Sequence, residues 1–190
     1  MHSLIHIMDL LRKNGSMKDP IAIGLLGGLI GTIFMDLSNL IIFKARKTET
    51  LYGYIAGELF VAPFRTKQTK NFILGEIAHL CIGSIWGIPL TYILKRSGKD
   101  HFLIKGTLVS TLSLGTLIGA QKFGVIKKFR LTKTFYSAIW NHLVHGLVSV
   151  QAIVLLADSA IFASSIAFAG SKHIRRIDQR RKKAPHEEGE

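Results

Sequence analysis

The stretch GEIAHLCIGSIWG, Gly75 to Gly87, decides how the chain is read. Its apolar content belongs to a helix that crosses a bilayer, yet Glu76 and His79 stand three residues apart in it, and hydrocarbon penalises both. At 3.6 residues per turn, Glu76, His79, Gly83 and Gly87 fall in one band about 80° wide. The acid and the imidazole therefore share the face that small residues open to a neighbouring helix. A polar pair turned into a helix bundle is expected, with Cys81 on the other side as a small core residue.

The rest of the chain repeats the pattern. Of 190 residues, 48% are hydrophobic and 19% charged, and the charges gather between apolar windows instead of spreading as they would on a soluble domain. Four windows are long enough to span: residues 20–43, 72–94, 102–120 and 135–157. Pro20 suits a first helical position. Gly87 and Pro89 are expected to bend the far end of the second window, and Lys105, the one charge of the third, lies near enough to its end to snorkel. The fourth apolar run reaches toward Gly170 with Asp158 interrupting it, so one helix either continues past the bilayer or breaks near Asp158. Between the first two windows, LYGYIAGELFVAPF (residues 51–64) is too short to cross and too apolar for an ordinary loop, which predicts an interfacial or re-entrant helix. The expected fold class is an all-α integral membrane protein, a four-span transmembrane helical bundle with one short interfacial or re-entrant helix. Residues 1–19 form an amphipathic and basic segment, 20–170 the bundle, and 171–190 a tail that is basic and then acidic.

The formal net charge of +13 does not point to nucleic acid. Basic residues flank every apolar window and lack the aromatic interleaving of a nucleic-acid platform, so the expected partners are membrane lipids, with anionic headgroups at the basic loops and tail. Lys and Arg number fourteen on the side of the termini against eleven on the other, which favours termini in the cytoplasm. Cys81 is the single cysteine and has no partner for an intrachain disulfide. The first window is too long for a signal peptide and lacks a small-x-small cleavage site, so a retained span is expected. In general character the chain resembles small four-span proteins of bacterial inner membranes, and the resemblance implies that location.

Lipid offers helices no hydrophobic reason to associate, so close packing through small residues must supply the attraction. Gly24 with Gly28 and Gly27 with Gly31 in the first window, Gly83 with Gly87 in the second, and Gly115 with Gly119 in the third carry that spacing. Such faces also suit a homo-oligomer or a membrane-protein partner.

Helical arithmetic brings further polar residues to the same place. His142, His145, Gly146 and Ser149 share a face of the fourth window with Asn141 at its edge, and Asp36 and Asn39 lie near the line of Gly28. With alternating spans, Asp36, Glu76, His79, His142 and His145 all lie about 6 to 15 Å from one end of the bundle, with Glu58 placed to cover them. Three uses compete. Glu-x-x-His and His-x-x-His are metal-ligand spacings, so Glu76, His79, His142, His145 and Asp36, completed by Glu58, form a candidate site for one transition metal ion. A di-metal site would need a second Glu-x-x-His. The same residues suit a proton or ion relay in a small transporter subunit. The leading expectation is interhelical hydrogen-bond glue in a structural or partner-binding membrane protein. Trp86, Trp140, Tyr52, Tyr54 and Tyr136 read as packing or interface anchors. No G-x-S-x-G, His-Glu-x-x-His, phosphate loop or dinucleotide fingerprint occurs, which points away from an enzyme.

Overall fold

The computed structural model describes residues 17–162. The expected N-terminal amphipathic stretch, the basic tail and the end of the fourth apolar run lie outside the described residues. Within them the chain is helical and without strands: α1 (Pro20–Lys44), α2 (Tyr52–Gly57), α3 (Thr69–Ser97), α4 (Phe102–Lys122) and α5 (Thr132–Leu156), with 3-10 turns at Pro63–Arg65 and Ser159–Ile161. Four of these helices, α1, α3, α4 and α5, are long and apolar enough to cross a membrane.

Local chemistry sets the ends. Asp19 caps α1, its carboxylate accepting the Ile21 N–H at 2.9 Å, and Pro20 occupies the first turn where its missing donor costs nothing. α3 runs unbroken through Pro89 and stops at Gly98, whose φ of 78° suits glycine. The Lys105 ammonium folds back to donate to the Gly98 and Ser97 carbonyls at 2.8 and 3.3 Å, capping α3 rather than extending past the helix end. α5 ends at Leu156, and Asp158 caps the following turn through the Ala160 N–H at 2.9 Å, so the apolar run does break at Asp158. Met17 bridges this break: its N–H donates to Leu156 O at 3.0 Å and its carbonyl accepts the Asp158 N–H at 2.9 Å.

Glycine decides which helices touch. On α1, Gly24 and Gly28 form one row and Gly27 and Gly31 another, about 60° round the helix. A Cβ on Gly28 would lie 2.6 Å from the carbonyl oxygens of Gly83 and Ser84, and one on Gly24 would lie 2.7 Å from Ile88 Cα, so the first row presses backbone to backbone on α3. The second row faces α5: a Cβ on Gly31 would meet the Ser149 hydroxyl and the His145 carbonyl, and one on Gly27 would meet Ile153. Gly106 and Gly146 join α4 to α5 in the same way. The helices thus contact in the order α3, α1, α5, α4, and the consecutive pair α3 and α4 lie largely apart.

At the α3–α4 loop end the bundle closes over an apolar core that includes Ile23, Leu90, Leu94, Val109, Val150 and Ile153. Toward the other end α3 and α4 separate, leaving a cleft floored by α1 and α5.

Two expectations need correction. Gly115 and Gly119 pack against nothing among the described residues; a Cβ at either position would meet no atom of these within 4 Å, because α4 presents that face outward. Cys81 is exposed and not a core residue, since it lies opposite the face that meets α1.

Gly28→Ala should therefore destabilise the detergent-purified protein by about 1–3 kcal/mol or more, because backbone must move, and so should Gly83→Ala, whose Cβ would strike the fully buried Thr32 side chain. Gly119→Ala should stay within about 0.5 kcal/mol. Equilibrium unfolding of the three variants checks the contrast, and equal losses at all three positions would refute this packing order.

Candidate functional site

The opening of the cleft is covered by α2. Six residues make too short a helix to persist alone, and α2 is held by what it touches. Tyr52, Gly53, Ala56 and Gly57 are buried against α3. A Cβ on Gly75 would strike the Gly53 carbonyl and lie 2.8 Å from Gly57 Cα, so three glycines let the two backbones meet. Gly53 also bears on the Glu76 carboxylate and the Phe72 ring.

Beneath α2 the polar residues of three long helices converge. His79 Nδ1 on α3 lies 2.9 Å from Asp36 Oδ1 on α1, each side chain about 15% exposed or less, at an angle that departs from a straight hydrogen bond. The His79 ring stacks on Tyr52, with centroids 4.6 Å apart and planes 7° from parallel, and Tyr52 meets the His142 ring edge-on at 6.0 Å. Glu76 lies beside Asp36 and the Gly53 backbone. On α5, His142 Nδ1 pairs with the Ala138 carbonyl at 2.8 Å, and Asn141, fully buried, donates to the Ser137 hydroxyl at 3.2 Å. The Tyr52 hydroxyl faces Asn141, and burial pushes its phenol above the ordinary value. The Tyr52 hydroxyl, Asn141 Oδ1 and His145 Nε2 are all buried without a well-formed hydrogen bond.

The sequence-derived site residues are thus brought to one end of the bundle, but not as a metal shell. Among the described residues no group of three or more His, Cys, Asp or Glu side chains is arranged to hold a metal ion. Asp36, Glu76 and His79 sit together beneath α2, while His142 spends a ring nitrogen on its own helix and His145 lies beside the Gly83 and Gly28 backbones. Glu58 turns away altogether: its carboxylate accepts the Lys127 N–H at 2.6 Å. Asn39 is buried on α1, one turn beyond Asp36.

Two residues in the cluster escape sequence arithmetic. Tyr52 reads as an interface anchor, and Asn141 falls at the edge of its helical face. YGYIAG, residues 52–57, has glycines at positions 53 and 57 that mark a helix able to approach another backbone, but not which backbone, and nothing in the sequence marks Asn141 as a member of the cluster.

A cavity of about 280 Å³ lies under this cluster. α3 supplies His79, Ile82, Gly83 and Trp86; α4 supplies Ser113, Thr116, Leu117 and Ala120; Thr32, Met35, His142 and His145 form the floor. Tyr52, Ile55, Ala56, Leu59 and Ile126 roof it. The lining is mostly carbon, and the volume is near the lower end of the ~300–1,000 Å³ typical of small-molecule sites.

Fold and site together define an all-helical bundle, with four helices of membrane-spanning length and a cavity capped by a short fifth helix. Comparison of the chain with protein-family models, curated proteins and solved structures finds no match.

If His79 secures α2 through Asp36 and Tyr52, His79→Ala and Tyr52→Ala should speed amide hydrogen exchange across residues 52–57 while leaving the α1–α5 interface protected, and Tyr52→Phe, which keeps the stack, should resemble wild type. A double-mutant cycle of His79→Ala with Asp36→Asn should return a coupling of about 0.6–1.7 kcal/mol; no coupling would mean that the close approach of these groups contributes nothing.

Proposed function

We propose that the protein is a multi-pass integral membrane protein that binds a hydrophobic molecule, of the lipid-chain class, in the cleft beneath α2, and that the Asp36–His79–Tyr52 cluster is the clamp holding α2 over it. The reading starts from the leading sequence expectation, a structural or partner-binding membrane protein with a buried polar cluster in one leaflet, replaces the partner with a small apolar ligand and gives the cluster a task. Its bilayer is that of a bacterial inner membrane, with α2 at the end opposite the termini.

The cavity carries this proposal. A site lined by carbon, floored by histidine ring edges and flanked by two helices that do not close on each other suits a flexible apolar chain entering sideways. The outer surface supports the bilayer setting: Phe34, Ile41, Ile85, Leu112 and Leu155 are each more than half exposed, on four different helices, and so much outward apolar surface would associate in water.

Trp86 lines the cavity, and Trp140, the other tryptophan, is 57% exposed. In a Trp140→Phe background, brominated stearate added to protein in unbrominated detergent should quench Trp86 saturably, and Ala120→Phe, which fills the cavity, should remove the saturable part. Quenching that is linear and identical in both proteins would reject the site. The same preparation separates the other uses of these residues: near-stoichiometric metal lost on Glu76→Gln/His79→Ala would establish a metal centre, and proton conductance in liposomes lost on Asp36→Asn would establish a relay. Cysteines introduced at Lys67 and Lys127 should label from one side of the membrane.

A further inference from the structure

The cleft does not end at α2. It continues into a hollow of about 640 Å³ between the segment after α2 and the α4–α5 loop, and Leu59 and Ile126 line both. Ile126 is 6% exposed, so it is a fixed point at the boundary. Inward of it the lining is mostly apolar, and outward it is mixed, with Lys127, Lys128 and one carboxylate, Glu58, on the wall. A neighbouring hollow shares those two lysines and adds Lys67 and Arg130.

The loop that presents the lysines is built, not slack. Gly124 takes a left-handed φ of 75°, Gln121 Nε2 donates to the Lys127 carbonyl at 3.0 Å, and the Lys127 N–H donates to Glu58 at 2.6 Å. Glu49 accepts the Arg130 N–H at 2.7 Å. Backbone amides therefore engage one oxygen of each of the two local carboxylates, and among the described residues no Lys or Arg side chain comes within ion-pair distance of a carboxylate, so two lysines face one carboxylate in this hollow. The opposite end of the bundle differs: Lys105 caps α3, and Lys95 and Lys99 lie over the Tyr92 and Phe162 rings at 5.8 and 5.3 Å.

We infer that the hollow beside Lys127 and Lys128 receives the anionic headgroup of a phospholipid from the leaflet that holds α2, while one of its acyl chains lies in the cleft. The inference rests on the proposed chain-binding cleft and names the class of its ligand. Polar and basic outside, apolar inside, with Leu59 and Ile126 at the junction, is the order in which a phospholipid presents its own parts. Two lysines add a charge preference that a neutral headgroup cannot use.

The test uses the full chain carrying Trp140→Phe, reconstituted in unbrominated phosphatidylcholine with a minor fraction of chain-brominated lipid, and reads Trp86. Brominated phosphatidylglycerol should reach half-maximal quenching at roughly one fifth the mole fraction of brominated phosphatidylcholine, the preference expected for about one effective lysine contact at low salt. Lys127→Glu/Lys128→Glu should abolish or reverse the preference for phosphatidylglycerol, and about 0.5 M salt in the unmodified protein should equalise the two lipids. Lys127→Gln/Lys128→Gln serves if the charge reversal does not fold. Equal quenching by both lipids at low salt, still lost on Ala120→Phe, would overturn the headgroup assignment and leave the cleft standing. Quenching that Ala120→Phe does not alter would overturn the cleft and the headgroup assignment with it.

Discussion

Backbone contact between α1 and its two neighbours is the constraint on which the architecture rests. In the bilayer proposed above, helices would gain nothing from hiding apolar side chains, so attraction would depend on how many atoms come within van der Waals range. Gly24 and Gly28 bring α3 that close and Gly27 and Gly31 bring α5, leaving α1 between them. α4 makes its close glycine contact with α5 through Gly106 and Gly146, and among the described residues its remaining glycines, Gly115 and Gly119, meet nothing. The cleft between α3 and α4 follows from where glycine is placed. It needs no separate cause.

An open cleft in a bundle would ordinarily collapse or fill, and the polar cluster shows what holds its roof in place. α2 is too short to form unaided. It is fixed by a glycine crossing on α3 and by one aromatic ring, Tyr52, which stacks on His79 while His79 meets Asp36. Groups that lipid would penalise singly are gathered where each has a polar or aromatic neighbour. Their cost is thereby reduced, and they join α1, α2, α3 and α5 at one depth. Residues whose spacing resembles a metal shell do not converge as one among the described residues: His142 pairs with its own helix, His145 lies beside the Gly83 and Gly28 backbones, and Glu58 turns to the α4–α5 loop.

Much of this was legible from residue order. The four long helices lie within a few residues of the apolar windows, since hydropathy over some twenty residues is a local property. The convergence of Asp36, Glu76 and His79 was legible too, because helical periodicity and alternating direction fix face and depth without knowledge of neighbours. Tyr52 and Asn141 were not, since membership of the cluster depends on where α2 docks. Gly115 and Gly119 carry the same spacing as Gly83 and Gly87, and nothing in that spacing says whether a partner stands opposite. Cys81 faces outward for the same reason: a position is core only relative to another helix.

By itself, then, the sequence determined the helices, their ends and the face of each that bears its polar or small residues, because these depend on composition, capping and a period of 3.6. Only the tertiary structure decided that α3 and α4 stand apart, that α2 closes the end of the gap between them, and that Asp36, Glu76 and His79 meet beneath α2 while Glu58 does not join them. Those outcomes depend on backbone approaches between residues far apart in the chain, such as Gly28 with Gly83 and Gly53 with Gly75. No local pattern encodes the partner of such a contact.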